Sequence, residues 1–433
     1  MKFEHPSWSY DTNIYEVNVR QYTTEGTFEA FRNNLPRLKD IGVEVLWFMP
    51  ITPISIKGRK GSLGSYYAVQ NYKEINPEFG SLQDFVDLVK YSHDLGFKII
   101  IDWVANHTGN DNVWIDEHPD FFCYDDNHII HPNGWEDVSK LDFDNLQMQA
   151  AMIDAMKFWI ASCDIDGFRC DMAHLVPLEF WKKARTELDM YKMNLFWLAE
   201  CEEANYHEAF DATYTWKWMH ATEEFYNRKN DLNSLFGVLQ EYEGIFPKDA
   251  FRIYFTSNHD ENSWNGTEYE KYGEAAKAFA VFSCTWNGLP MIYSGQELPN
   301  NKRLQFFDKD NIEWKDKCEL HDFYKTLLQL RKTNKALRAA DGNVSTSKIS
   351  TNYDDKVFAF IRKNENDEVF VILNLSEEKI ELEIFDPLIQ NFFIDIFNKE
   401  SIDFSEKQNI ELQPWNFRVL KKKKLPKKNF WKV

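Results

Sequence analysis

A chain of 433 residues with 43% hydrophobic and 16% aromatic content, including 15 Trp and 35 Phe, has the apolar mass for a large core and excludes a disordered or fibrous polypeptide. Its formal charge of -19 argues against a protein built to grip a phosphate backbone, which needs clustered Lys and Arg, so no nucleic-acid partner is expected and a neutral ligand fits better. Six cysteines with no CxxC spacing suggest neither a disulfide framework nor a zinc site.

The N-terminus, "MKFEHPSWSY", lacks an apolar signal-peptide core, and no run of about 18 apolar residues follows. No membrane partner is expected; the compartment is cytoplasmic if the chain is full length, and secreted or periplasmic if a signal peptide has been removed. The first strand lies in "NIYEVNVRQY" (13–22). A helix follows in "TFEAFRNNLPRLKDIG", capped by Thr27, with Phe28, Phe31, Leu35 and Leu38 on one face and Gly42 as its stop. After the strand "VEVLWFMPI" (43–51), "SLQDFVDLVKYSHDLG" repeats the design with a Ser81/Asp84 capping box and Gly96 as stop. The third strand is "FKIIIDWV" (97–104). A segment of about 36 residues, 108–143, then breaks the rhythm, and loops of such length are usually functional. Further strands are expected in 167–173, 196–201, 210–216, 252–260 and 289–295. Eight strands with intervening helices point to a (β/α)8 TIM barrel over 1–107 and 144–340, with 108–143 as a short insertion after strand 3, although an open doubly wound sheet fits the same pattern. From about 356 the runs "KVFAFIRK", "EVFVILNLS", "KIELEIF", "NFFIDIF" and "NIELQPWNFRVL" follow closely without helices, which predicts a C-terminal antiparallel β-sandwich over 341–425. A basic tail, 426–433, closes the chain.

In such a barrel the chemistry sits at the C-terminal ends of the strands. Those ends carry Asp102, Asn106 and His107; Arg169 and Asp171; Glu200; and Asn258, His259 and Asp260. Each alone reads equally well as part of a structural ion pair. Together they place carboxylates, an Arg and His residues at one rim, and the mutual repulsion of such a set is costly without a chemical use. Retaining cleavage of a glycosidic bond uses a carboxylate nucleophile and a second carboxyl group that delivers a proton. Arg169 beside Asp171 is expected to hold Asp171 ionised while other carboxylates favour a protonated Glu200.

The runs "DWVANHTG", "GFRCDMAH", "FWLAECEE" and "FTSNHDEN", in that order and each at a strand end, resemble the signature regions of the α-amylase family, glycoside hydrolase family 13. "GSYYAVQNYKEINPEFGS" and "YSGQEL" support the match, and the resemblance spans roughly 10 to 425. It implies Asp171 as nucleophile, Glu200 as general acid/base and Asp260 as the carboxylate that binds and distorts the ring. It also implies Arg169, His107 and His259 around the cleaved sugar, Tyr67 stacked on it, and Asp102 behind Arg169. Where the family usually continues with a Lys-His pair this chain has His174 and Leu175, so His174 is either a sugar ligand or a loop residue. Many members bind calcium through an Asn matching Asn106 and an Asp late in the insertion, where "VSKLD" here offers Lys140. An ammonium repels a hard cation, so no metal or other cofactor is expected, and Lys140 supplies the charge near Asn106 instead.

The short insertion implies a relatively open or shallow site. Trp114, Phe121, Phe122 and Trp135 are read first as the insertion's own core and second as sugar platforms; Trp47, Trp103 and Trp197 as packing; Cys170 and Cys201 as inert thiols. The resemblance implies a retaining hydrolase of α-1,4-linked glucans such as starch or maltodextrins. A transglycosylase or sugar isomerase of the same family is the alternative, and a non-catalytic carbohydrate-binding or scaffold protein the more distant one. With no β module ahead of the first strand, the expected state is a monomer.

Overall fold

The computed structural model describes residues 3–424, and the expected basic tail at 426–433 lies outside the described residues. Short apolar runs become strands buried throughout except at Lys98: β1 (Ile14–Val17), β2 (Val45–Phe48), β3 (Lys98–Trp103), β4 (Gly167–Cys170), β5 (Phe196–Ala199), β6 (Ala212–Tyr214), β7 (Phe251–Tyr254) and β8 (Leu289–Tyr293). They pair in parallel and in sequence order, and β8 returns to β1 to close the barrel. Alternation splits each strand between two cores. Ile14, Val45, Trp47, Ile100, Leu198, Ile253 and Met291 fill the barrel interior, while Tyr15, Leu46, Phe48, Ile99 and Ile101 face the surrounding helices. The register sets Asp102 beside Arg169 and Arg169 beside Leu198, so the polar strand ends lie at one level of the rim.

Two local expectations are corrected. The single helix read across 27–42 is two, Phe28–Arg32 and Leu35–Ile41, because Pro36 has no N–H to continue the first helix and instead sits in the opening turn of the second. Thr27 still caps the first, accepting from Ala30 N at 3.3 Å. Strand β4 stops at Cys170 rather than 173: Met172 takes a left-handed conformation at φ 42°, which turns the chain away just after Asp171.

The insertion opens and closes with the antiparallel pairing of His107–Gly109 with Val138–Lys140. Inside it Phe121 and Phe122 are buried, and Phe121 meets Trp114 edge-on at 5.6 Å, so these aromatics are its core.

After the barrel come β9 (Ser345–Ile349), β10 (Val357–Lys363), β11 (Glu368–Asn374), β12 (Ile380–Ile384), β13 (Phe392–Asp395), β14 (Ser401–Asp403), β15 (Gln408–Leu412) and β16 (Phe417–Lys422). Six form a sheet in the order β9-β10-β11-β16-β13-β14, and β12 pairs with β15 as a separate ribbon. The β10 side chains Val357, Ala359 and Ile361 pack with Ile380 and Leu382 of the ribbon, whereas Phe358 and Phe360 join the core shared with the barrel helices. No helix among the described residues is long and apolar enough to cross a membrane.

Candidate active site

The polar strand ends converge on one guanidinium. Arg169, fully buried at the end of β4, directs Nη1 to Asp102 Oδ1 at 2.9 Å and to Asp171 Oδ1 at 3.1 Å. Its Nη2 lies 3.0 Å from Glu200 Oε2 as an ion pair rather than a directed hydrogen bond. Three carboxylates therefore face one cation. Trp47 Nε1 donates to Asp102 Oδ2 at 3.2 Å, as does Tyr67 Oη at 3.1 Å, and the Trp47 and Tyr214 rings flank the guanidinium at 4.8 and 5.7 Å. This fixes Arg169 before any ligand arrives.

The charge balance leaves Asp171 unlike an ordinary carboxylate. Burial, then the Glu200 carboxylate, push its pKa well above the usual range, and Arg169 only partly opposes them. The expectation that Arg169 keeps Asp171 readily ionised is thus corrected, because one guanidinium is divided among three acids. Burial likewise raises Asp102 to about 6 despite Arg169. Glu200 receives the Met172 backbone N–H on Oε2 at 2.9 Å, which leaves Oε1 with no hydrogen-bond partner among the described residues.

Asp260 is held the opposite way. Burial acts against its charge, but the neighbouring His259 outweighs it and lowers the pKa. His259 Nε2 is 3.1 Å from Asp260 Oδ2 and Nδ1 is 2.5 Å from Glu16 Oε1; against burial, these two acids raise the imidazole well above its ordinary value and keep it a cation. His107 is the neutral counterpart, because burial lowers it to about 4. Asn106 Nδ2 donates to His107 Nδ1 at 3.1 Å, so the remaining proton belongs on Nε2, where it can donate to a hydroxyl.

Tyr67, His107, Asp171, Glu200 and Asp260 line one cavity of about 340 Å³, at the small end of ligand sites. A larger cavity of about 770 Å³, between Phe3, His5, His207 and Phe246, includes none of these five groups. Two expected residues stand apart. The His174 side chain is exposed and does not line the catalytic cavity, although its carbonyl accepts from Tyr206 Oη at 3.2 Å. Lys140 pairs with His107 across the insertion strands, yet its side chain is exposed and makes no hydrogen bond or ion pair among the described residues, so it does not serve Asn106 as expected.

Several cavity residues were not singled out by sequence: Lys60, Asp137, Trp264, Phe306 and Phe307. Trp135, read first as insertion core, lines the cavity and meets His107 edge-on at 5.7 Å. Trp47, read as packing, does pack in the barrel interior and in addition donates to Asp102. Glu16 had a legible signal, since it is the one acid in the buried strand "IYEV".

Residues 10–137 and 124–311 match the family described as Alpha amylase, catalytic domain, and residues 350–419 match Maltogenic Amylase, C-terminal domain. Alpha-amylase MalA of Haloarcula japonica is 28% identical over 399 residues, covering 87% of this chain; the chain spans only 57% of that relative's length. Alpha-amylase 2 of Dictyoglomus thermophilum is 24% identical, over 92% of this chain and 74% of the relative. Among solved structures, the maltogenic alpha-amylase AmyB of Thermotoga neapolitana superposes with a TM-score of 0.87 at 27% identity, covering 95% of this chain and 98% of the other. An alpha-amylase from Lactobacillus plantarum gives 0.86 at 27% identity, covering 95% and 99%.

Proposed function

The chain belongs to the alpha-amylase family of glycoside hydrolases, and from that premise we propose that it cleaves α-1,4-glucosidic bonds of starch fragments or maltodextrins with retention, through a covalent glycosyl-enzyme. The observation that carries this reading is Arg169 gripping Asp171 and Glu200 on its two terminal nitrogens. Acids held by one guanidinium favour the short separation of about 5–5.5 Å that a nucleophile and an acid/base need, rather than the wider gap that admits a water between them.

The steps follow from the positions. Asp171 attacks the anomeric carbon while Glu200, using the Oε1 that its protein partners leave open, gives a proton to the departing oxygen. The ring gains positive charge in this step, and a site with three carboxylates against one guanidinium is preorganised to stabilise it. Asp260, held ionised by cationic His259, takes ring hydroxyls as acceptor, and neutral His107 supplies a donor. Water then attacks the glycosyl-enzyme, and Glu200 takes its proton.

The surroundings of Asn106 do not fit a calcium ion. Where a second oxygen ligand would be needed the insertion carries Lys140 rather than an Asp, and no group of three or more His, Cys, Asp or Glu that could hold a metal lies among the described residues. Activity after exhaustive EDTA treatment and dialysis is expected to stay within about twofold of the untreated enzyme, on the scale of interactions worth well under 1 kcal/mol. Loss of activity restored by calcium would overturn this.

Time-resolved proton NMR of maltoheptaose tests the function. New reducing ends appearing first as the α-anomer support retaining α-glucan hydrolysis, and initial β-anomer would contradict retention. Chain-length redistribution without new reducing ends would indicate transglycosylation instead.

A further inference from the structure

Loops of very different length rise around the barrel mouth. The segments after β2 (49–81), β3 (104–145), β7 (255–267) and β8 (294–320) are long, whereas the chain after β4 reaches its helix at Leu178 and the chain after β6 starts a helix at Trp216. The cavity wall follows this asymmetry: Lys60, Ser65 and Tyr67 come from the β2 loop, Trp135 and Asp137 from the insertion, Trp264 from the β7 loop, and Phe306 and Phe307 from the β8 loop. From the β4 and β5 ends come only Asp171, Met172 and Glu200. One side of the cleft is walled and the other is low.

Within the β2 loop, residues 55–65 form a strap that ties the walls together. At one end the backbone N–H groups of Ile56 and Lys57 donate to Asp111 Oδ2 at 2.9 and 3.2 Å, and Lys60 Nζ reaches Asp137 Oδ1 at 2.6 Å. At the other end Ser62 N donates to Asp308 Oδ1 at 2.9 Å and Leu63 N to Phe307 O at 3.0 Å. The touch points require glycine. Gly58 has φ 74°, and a Cβ there would lie 2.9 Å from Asn110 Nδ2; Gly61 has φ 61°, and its Cβ would lie 2.5 Å from Phe307 Cβ. The strap therefore lies hard against both neighbours with no room between for a polysaccharide strand.

We infer that this strap makes the walled side a blind end that seats the non-reducing terminus of an α-glucan, so the enzyme works from chain ends and releases short sugars rather than cutting within a chain. The inference rests on the proposed mechanism for its direction. The proton goes from Glu200 to the leaving oxygen, so the leaving part of the chain runs over the low β4–β6 side. The cleaved ring and whatever precedes it must then lie toward Tyr67, Asp260 and Phe306, where Lys60, Asp137 and Phe307 close the path. A cavity of about 340 Å³ has space for a short glycone.

The test compares maltoheptaose with maltoheptaose carrying an ethylidene acetal on O4 and O6 of its non-reducing glucose. The wild-type enzyme is expected to cleave the free substrate and to cleave the blocked one at least tenfold more slowly. Equal rates on both would overturn the blind end while leaving the hydrolase reading intact, and no cleavage of either would overturn both. In a Lys60→Ala/Asp111→Ala/Asp308→Ala variant, which removes the strap's side-chain ties on both sides, the ratio of blocked to free rates is expected to rise. A large wild-type discrimination that the variant leaves unchanged would assign the blockade to other residues and contradict the role of the strap.

Discussion

At Asp171, burial and the Glu200 carboxylate both oppose ionisation, and the shared Arg169 only partly relieves them. A nucleophile must be ionised, so activity is lost as pH falls through a pKa that lies above the ordinary carboxylate value of about 3.9. The acid limb of kcat/KM is therefore expected above pH ~4 in the wild type. In the active form Glu200 is protonated and carries no charge, so replacing it by Gln should leave that limb in place, measured with α-maltosyl fluoride, whose leaving group needs little protonation. A limb displaced by about one pH unit or more would contradict this placement of the proton. On maltoheptaose the same variant is expected to lose about 10²–10⁴-fold in kcat, the usual contribution of a positioned acid. His107 carries a stability signature. Its pKa is about 4 when folded against 6.5 unfolded, so the unfolded chain takes the proton first, and this contribution is intact above pH ~6.5 and lost progressively down to about 4. Its full size is roughly 3 kcal/mol. A His107→Gln variant should show a smaller drop in Tm between pH 7 and 5 than the wild type. The proposed nucleophile and acid/base were legible because Asp171 and Glu200 each directly follow an apolar strand, where a charge stands out, whereas Asp260 lies six residues beyond the end of β7 and was legible only through the run "FTSNHDEN". Charge direction at Asp171 was not, since it depends on how many acids share Arg169, and the polar contacts of Trp47 with Asp102 and of Tyr214 with Arg169 were hidden because an aromatic inside a strand looks like core whether or not it also meets a charge.

At the level of elements, the barrel strands were readable because each is a short apolar run buried on both faces. The less readable pieces have local causes. Strand β9, "STSKI", is a polar edge strand whose first four residues are not fully buried, and nothing in its sequence marks it as β. Helix 27–42 kept an apolar face across a break that only Pro36 reveals. Lys140 was read from its place late in the insertion, and a place in the chain does not fix where a long exposed side chain goes. Between elements, the buried Arg362 on β10 joins the two domains: it donates to Trp286 O at 3.0 Å and to Arg338 O at 2.7 Å. Arg362→Met removes these donors and leaves buried carbonyls unpaired, which should cost about 1–3 kcal/mol. A lowered Tm with near-normal activity at 25 °C is the expected result, and an unchanged Tm would show that the seam does not depend on this residue.

On the scale of the whole molecule, the C-terminal domain acts as the barrel's second wall. Phe358 and Phe360 of β10 meet Trp286 at 5.7 and 4.8 Å, and the helix Ala276–Thr285 in front of them is buried along its length. A chain ending at 340 would expose that apolar face, and it is expected to be insoluble or to bind hydrophobic dyes strongly. A soluble, cooperative unfolder with wild-type Tm would show the barrel to be independent. The closed barrel, in turn, gives β3, β4, β5 and β7 a common rim, which brings the proposed site residues from Asp102 to Asp260 together. The most direct test of that account is to react the Glu200→Gln enzyme with 5-fluoro-α-maltosyl fluoride, digest it and locate the added mass by peptide mass spectrometry. A glycosyl ester on Asp171 is expected; an ester on another residue, or prompt turnover with no covalent species, would contradict that role.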